Sequence, residues 1–412
     1  MISFSNLFKW RNTGRKSYTT ISDIPKTIKA ISFSSFFINM STLMVFSFFG
    51  VYLHHTLGVN LTKIGFLDGT VEACAFIMKL FSGYLSDVLC NRKILLLLGT
   101  ILLFLAKPLE AIGRSFVPLF CAKVIERFGN GLQSTPRDAL VGDWAPENSR
   151  ARCFGLRQAL AAMGCLVGTI IAALLFRILN DYQAVFWCAC IPAFIAVLII
   201  TFAVKNKYVP QKTLVHKRLC HINIKTLTQF PKRYWVFLVI AATYNCAKVS
   251  ESLVILHTTG TYNLSTFMAP LVLSVCYISN SLSAMVSGAI SDKTSKPNKI
   301  FMFGLASFIF ADLMFIFDDG NPFLGLGGLL CLGIYNGISQ SIFAAKISEI
   351  SPPNLKGTGL GIYNLVCALS LLCGGTIIGR VADTNGFTSA FVLSAILAST
   401  AFLVLFFVNI RK

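Results

Sequence analysis

Long apolar runs separated by short polar breaks recur along the chain from Ile28 to Ile410. A helix that crosses a bilayer takes about 20 mostly apolar residues. Twelve such spans can be read, near 30–53, 63–85, 93–112, 115–133, 153–176, 184–204, 234–257, 266–290, 299–317, 323–344, 357–379 and 388–409. The strands of a closed barrel would alternate over about ten residues, and these runs are too long and too uniform for that. The pattern predicts an all-α integral membrane protein. Its longest polar stretch, Lys205 to Arg233, has eight basic and no acidic residues and falls between spans 6 and 7. It divides the chain into an N-tail (1–29), a six-helix bundle (30–204), a basic linker (205–233), a second six-helix bundle (234–409) and a C-tail (410–412).

Composition agrees with a lipid solvent, since 55% of the 412 residues are hydrophobic and 13% charged, against roughly 25% charged in soluble domains. A net charge of +19 would suit a nucleic-acid binder if the basic residues were spread over one soluble surface. Instead, 26 of the 36 Lys and Arg lie in the tails and breaks of one side, and only Lys63, Arg114, Arg177 and Arg380 lie in those of the other. That bias is the positive-inside rule, so both termini are expected in the cytoplasm and no nucleic-acid partner is expected. The thirteen cysteines form no CxxC pair and no His–Cys spacing that suits a metal, so no cofactor or metal is expected. Residues 1–27 hold Arg11, Arg15 and Lys16 but lack the apolar core of a cleaved signal peptide; an organelle transit segment would share their basic, acid-poor character.

Two anchors repeat along the chain. Gly83-Tyr84-Leu85-Ser86-Asp87 returns as Gly288-Ala289-Ile290-Ser291-Asp292, an offset of 205. Pro146, Arg150 and Gly155 return as Pro352, Lys356 and Gly361, an offset of 206. Two anchors at nearly one offset predict a duplicated six-helix unit. An even number of helices per unit keeps both halves in one orientation.

Charged groups inside apolar spans are costly, about 2.5 to 3.5 kcal/mol each at a bilayer centre, and so call for a function. Asp68 and Glu72 lie four residues apart on one face of span 2, where their like charges repel, an arrangement suited to carrying a proton, with Glu72 the expected carrier. The simpler alternative is that Asp68 is wetted at the interface. Lys79 is seven residues beyond Glu72, roughly 10 Å along a helix, so its partner is expected on another helix. Arg127 either lines a cavity or ties to Glu72 or Glu126, and Glu126 beside it is a further candidate for the proton or solute site. Lys248 and Glu251, at i and i+3, are expected on one face of span 7 as a salt bridge or a solute site.

The segment from Gly83 to Lys93 resembles the loop between helices 2 and 3 of the major facilitator superfamily, roughly G-x-L-x-D-R-x-G-R-R. Gly83, Leu85, Asp87 and Arg92 fit, while Val88, Cys90 and Asn91 depart from it. The copy with Gly288 and Asp292 is weaker. Asp87 ends a helix whose dipole disfavours negative charge. The resemblance implies that it docks on the start of span 11, near Lys356 and Gly357, and latches the two halves on the inner side; the alternative is a solvated loop aspartate. Glu126-Arg127-Phe-Gly129-Asn-Gly131-Leu-Gln-Ser-Thr135-Pro136-Arg137-Asp138-Ala-Leu is similar to a bacterial branch with D-R-x-G-K-G-I-R-T-A-P-R-D-A-L between helices 4 and 5. Gly155, Arg157, Gly361, Tyr363 and Asn364 fit the same branch.

Arg127 and Gly131 match an R-x-x-x-G pattern implicated in proton coupling. The antiporter pattern G-x-x-x-G-P lacks its proline here, since Gly164 and Gly168 precede Thr169. Because helices 1, 4, 7 and 10 line the cavity in this superfamily, Asn39, Asn245, Asn336 and Gln340 are further candidates. The resemblance implies a monomeric, proton-coupled secondary transporter of a small organic solute, working by alternating access in a bacterial inner membrane. A membrane-embedded sensor would usually add a long terminal domain. A lipid-modifying enzyme would show convergent catalytic residues, and no nucleophile motif, phosphate loop or metal cluster is found.

Overall fold

The computed structural model describes residues 24–89, 91–146, 150–206, 229–293, 297–352 and 356–410. Its α-helices are α1 Lys26–Val51, α2 Leu61–Leu89, α3 Arg92–Ile112, α4 Phe116–Trp144, α5 Arg150–Leu179, α6 Tyr182–Cys188 and α7 Cys190–Ala203, followed by α8 Lys232–Ala247, α9 Glu251–Thr261, α10 Ala269–Lys293, α11 Pro297–Ile316, α12 Pro322–Ile350, α13 Lys356–Asn385 and α14 Phe387–Ile410. A π turn, Tyr52–Thr56, extends α1, and a 3₁₀ turn, Thr266–Met268, leads into α10. Among the described residues, nine helical stretches are long and apolar enough to cross a membrane: 26–56, 92–112, 153–179, 182–203, 232–261, 266–284, 299–316, 359–385 and 387–407. Charged residues such as Asp68, Glu72 and Lys79 in α2, and Lys123, Glu126 and Arg127 in α4, make those two helices less apolar.

Helix boundaries follow local chemistry. Asn91 caps α3 by accepting the Ile94 N–H at 3.3 Å, and Asn321 caps α12 by accepting that of Phe323 at 3.1 Å, each satisfying an otherwise orphaned donor. α6 and α7 are separated only by Ala189, whose backbone stays helical. The interruption between α8 and α9 is a real break. Lys248 is extended (ψ 111°), and Ser250 is extended and accepts the Leu253 N–H at 3.3 Å, starting a new helix.

The predicted spans fall on helices, with two corrections. Span 4 was expected to end at 133, but α4 runs to Trp144, so Pro136, Arg137 and Asp138 stand inside the helix rather than between helices. Span 7 was expected as one helix with Lys248 and Glu251 on a shared face, and the break at 248–250 separates them.

With no hydrophobic drive between helices in lipid, close packing by small residues sets the contacts. A methyl group added at Gly164 would stand 2.2 Å from the Phe36 carbonyl oxygen, and one at Gly168 2.5 Å from that of Met40, so α5 lies backbone-close on α1. Gly99 and Gly129 do the same for α3 and α4, each with the other's carbonyl oxygen 2.7 Å from its would-be methyl. Gly164 and Gly168 of span 5 thus form a packing surface.

The end of the helix bundle where α1 begins is called the near end, and the end where α2 begins the far end. In the far half, helices from before residue 206 meet those from after residue 229. A methyl at Gly65 would lie 2.2 Å from the Gly375 carbonyl oxygen, and one at Gly379 2.6 Å from that of Leu61, which clamps α2 to α13. Thr169 and Ser274 share a hydrogen bond at 2.7 Å between α5 and α10. Asp383, near the end of α13, accepts the Leu61 and Thr62 N–H groups at 2.8 Å each and the Thr62 hydroxyl at 2.5 Å. One carboxylate from the second half therefore caps the first turn of α2 in the first half.

Candidate functional site

Between these helices lies a cavity of about 450 Å³, lined by α1, α2, α4, α5, the α8–α9 break, α10, α12 and α13. Asp68, Glu72 and Lys79 all face it from α2, as their spacing predicts. Arg127 enters from α4 and pairs with Glu72 at 3.1 Å. Of the two ties foreseen for Arg127, the one to Glu72 forms. Asp68 is buried, and its Oδ2 has no hydrogen-bond partner.

Lys248 and Glu251 both reach the cavity from the α8–α9 break, but not as a pair. Glu251 instead accepts the Tyr277 hydroxyl of α10 at 2.8 Å. Breaking the helix between the two residues is what parts them. Lys79 was expected to find a charged partner on another helix, yet among the described residues no carboxylate lies within salt-bridge distance of it. Its ammonium stands 5.1 Å from the ring centre of Phe76 on its own helix.

Asn39 lines the cavity and donates to the Ala161 carbonyl at 3.3 Å. Asn336 lines it from α12. Asn245 is directed into helix packing, donating to Ala241 at 2.8 Å and to the Cys367 sulfur at 3.3 Å. The Gln340 side chain lies outside the described residues.

Glu126 departs from expectation. It is absent from the cavity wall and sits behind it, 2.5 Å from Lys107 and 2.7 Å from Lys123. Glu110 closes the cluster, 3.1 Å from Lys107 and 3.0 Å from Lys123. All four side chains are at most 2% exposed, and their charges sum to zero. Lys123 also lies 4.6 Å from the Phe49 ring centre. Lys107, Glu110 and Lys123 were missed in the sequence. Two matched Lys/Glu pairs at i,i+3 on consecutive spans were the available signal.

Of the family-motif residues, two arginines form part of the cavity wall toward the near end. Arg137 and Arg157 both line the cavity and share Asp138, at 3.2 and 3.5 Å. Gly131 lets α4 approach α2, since a methyl there would lie 2.8 Å from the Ala75 carbonyl oxygen. Pro136 is buried inside α4. Gly155 faces open space. A methyl at Gly361 would lie 3.1 Å from Leu80 of α2. The Tyr363 hydroxyl meets that of Tyr244 at 3.3 Å, and Asn364 is half-buried on α13.

Of the expected gate, Gly83 packs α2 on α4, with Thr135 3.3 Å from its would-be methyl. Arg92 pairs with Asp143 of α4. The side chains of Asp87 and Asp292 lie outside the described residues, and Gly288 stands within α10. No group of three or more His, Cys, Asp or Glu that could hold a metal occurs among the described residues.

The comparisons fit this architecture. Residues 31–375 match the family described as Major Facilitator Superfamily. An uncharacterized MFS-type transporter of Methanocaldococcus jannaschii is 24% identical over 94% of this chain and 96% of its own length. A crystal structure of a nucleoside transporter superposes with a TM-score of 0.77 at 15% identity, covering 92% of this chain and 97% of its own. That of a D-xylose-proton symporter gives 0.69 at 15% identity, over 92% and 96%. At such identities the likeness is one of fold. The family match extends over most of the chain, and the protein is a member of the Major Facilitator Superfamily.

Proposed function

We propose that the chain is a proton-coupled secondary transporter of a small organic solute, with twelve membrane-crossing helices in two six-helix bundles. α2, α4 and α12 each have 29 residues, about 43 Å of helix, and would supply the crossings beyond the nine apolar ones. The charge asymmetry of the loops supports cytoplasmic termini. The near end is then cytoplasmic, and the far closure faces outward.

The observation that carries this reading is the charged cavity between the halves, closed at the far end by α2 against α13. Such a cavity, reached from one side at a time as the halves rock, is the working part of this fold class. Asp383 on the α2 N-terminus serves as the outer latch, and Asp87 is retained as its inner counterpart.

Asp68 is the carboxylate assigned to take the proton. It is buried, with one oxygen unpartnered, whereas Glu72 is engaged by Arg127. Glu72 and Arg127 then relay the change across the cavity, and Glu251 with Tyr277 belongs to solute binding. Measured in sealed vesicles, Asp68→Asn should abolish gradient-driven accumulation and keep solute exchange, while Glu251→Gln should impair both. Accumulation by Asp68→Asn with ordinary proton dependence would remove Asp68 from the coupling role.

A further inference from the structure

The cavity is electrically lopsided. Five basic side chains line it, Lys79, Arg127, Arg137, Arg157 and Lys248, against the carboxylates of Asp68, Glu72 and Glu251. The acidic groups gather toward the middle and far half, where Glu72 is matched by Arg127 and Glu251 by a tyrosine hydroxyl. Toward the near end the balance reverses. Arg137 and Arg157 share the single carboxylate of Asp138. Lys79 lines the same wall, with no carboxylate within salt-bridge distance among the described residues. The Arg157 guanidinium donates to the Gln158 side chain at 2.7 Å, its Nε stands 3.5 Å from the shared Asp138, and its side chain is only 12% exposed. Counting Lys79, Arg137 and Arg157 against Asp138, the near part carries two uncompensated positive charges among the described residues.

A buried cation without its full counter-charge is costly, so two guanidinium groups that share one carboxylate favour a further anionic acceptor. Arginine presents a planar fork that suits carboxylate and phosphate oxygens, and lysine adds a point charge.

We propose that the near part of the cavity, between Lys79, Arg137 and Arg157, is a subsite for an anionic group of the transported solute, a carboxylate or a phosphate. The proposal rests on the transporter reading and narrows its substrate class. Organic cations are excluded from this part of the path.

The test reads the cavity's potential directly, whatever solute the protein carries. Ser134, on the cavity wall one turn before Arg137, is changed to cysteine in a chain freed of its native cysteines. Its labelling rate is measured with an anionic sulfonatoethyl and a cationic trimethylammonioethyl methanethiosulfonate, each normalised to a small free thiol. A focused positive field should favour the anionic reagent by roughly tenfold or more. Lys79→Met and Arg157→Gln should each bring the ratio down. Glutarate and glycerol phosphate, added separately, distinguish a carboxylate site from a phosphate site by which one slows anionic labelling.

Asn130→Cys, also on the wall, repeats the measurement at a second position, and gel filtration confirms folding. A ratio at or below one, a ratio unmoved by both substitutions, or labelling slowed by neither anion overturns the proposal. None of these results touches the transport reading, which stands or falls on gradient-driven accumulation in vesicles.

Discussion

Removing the Asp383 carboxylate should loosen the far closure by an amount that can be worked from its contacts. Asp383 takes two backbone N–H groups at 2.8 Å and a hydroxyl at 2.5 Å from the first turn of α2. Loss of an N-terminal cap costs about 0.5–2 kcal/mol, and loss of a negative charge at a helix N-terminus about 0.3–1 kcal/mol. Asp383→Ala should therefore shift the equilibrium toward far-end opening by about 2 kcal/mol, which is roughly 30-fold in population. Asp383→Asn keeps one acceptor and should shift it by about 1 kcal/mol, roughly fivefold.

The assay is the labelling rate of Thr42→Cys, on the cavity wall of α1, by an impermeant thiol reagent added outside intact cells. When opening and closing are fast against labelling, the rate follows the open population even if that state is rare. Thr62→Ala removes part of the same contact, so it should be less than additive with Asp383→Ala. A labelling rate within twofold of the parent in a folded Asp383→Ala protein would refute the latch.

Other expected outcomes are more local. Glu126→Ala should cost about 3–5 kcal/mol because it leaves the buried Lys107 and Lys123 with Glu110 alone to balance them, whereas replacing all four members of the cluster by Met and Leu should restore most of that loss, as read by thermal unfolding in detergent. Gly164→Ala should destabilise by about 1–3 kcal/mol through its clash with the Phe36 backbone, while Gly155→Ala, in open space, should be near neutral. For orientation, a cysteine at Lys205 should be shielded from an impermeant reagent in intact cells, and one at Arg114 should react; the reverse pattern would invert the topology.

The fold was legible because lipid imposes one requirement on every spanning helix, and hydropathy reads that requirement directly. It failed where a helix meets protein or a cavity instead of lipid. α4 looked finished at 133 because Gln133 to Asp138 is polar and contains a proline, yet that stretch remains helical, with Gln133 and Pro136 buried and Arg137 lining the cavity. The break at Lys248–Ser250 has no glycine or proline to announce it, only a serine able to cap the helix that follows. Asp68, Glu72, Arg127, Lys248 and Glu251 were legible as charges out of place, and the cavity gathers them. Their pairing was not, because it depends on which helices face one another. Glu72 was expected to be set chiefly by Asp68 on its own helix, and it is Arg127 from α4 that engages it. Asp383 gave no signal at all, since a carboxylate near a loop has no visible partner until α2 is brought to it.

The central claim is that an external energy source, the proton gradient, drives solute through this cavity. It is tested most directly with the purified chain in sealed proteoliposomes, given a defined mixture of amino acids, sugars, nucleosides, carboxylates and phosphorylated metabolites, with and without an imposed proton gradient. Internal solutes are read by mass spectrometry. The account predicts that at least one solute moves beyond its equilibrium distribution, that a protonophore abolishes this, and that Asp68→Asn does not support it. Internal contents indistinguishable from those of protein-free liposomes, or accumulation that ignores the gradient, would contradict the account.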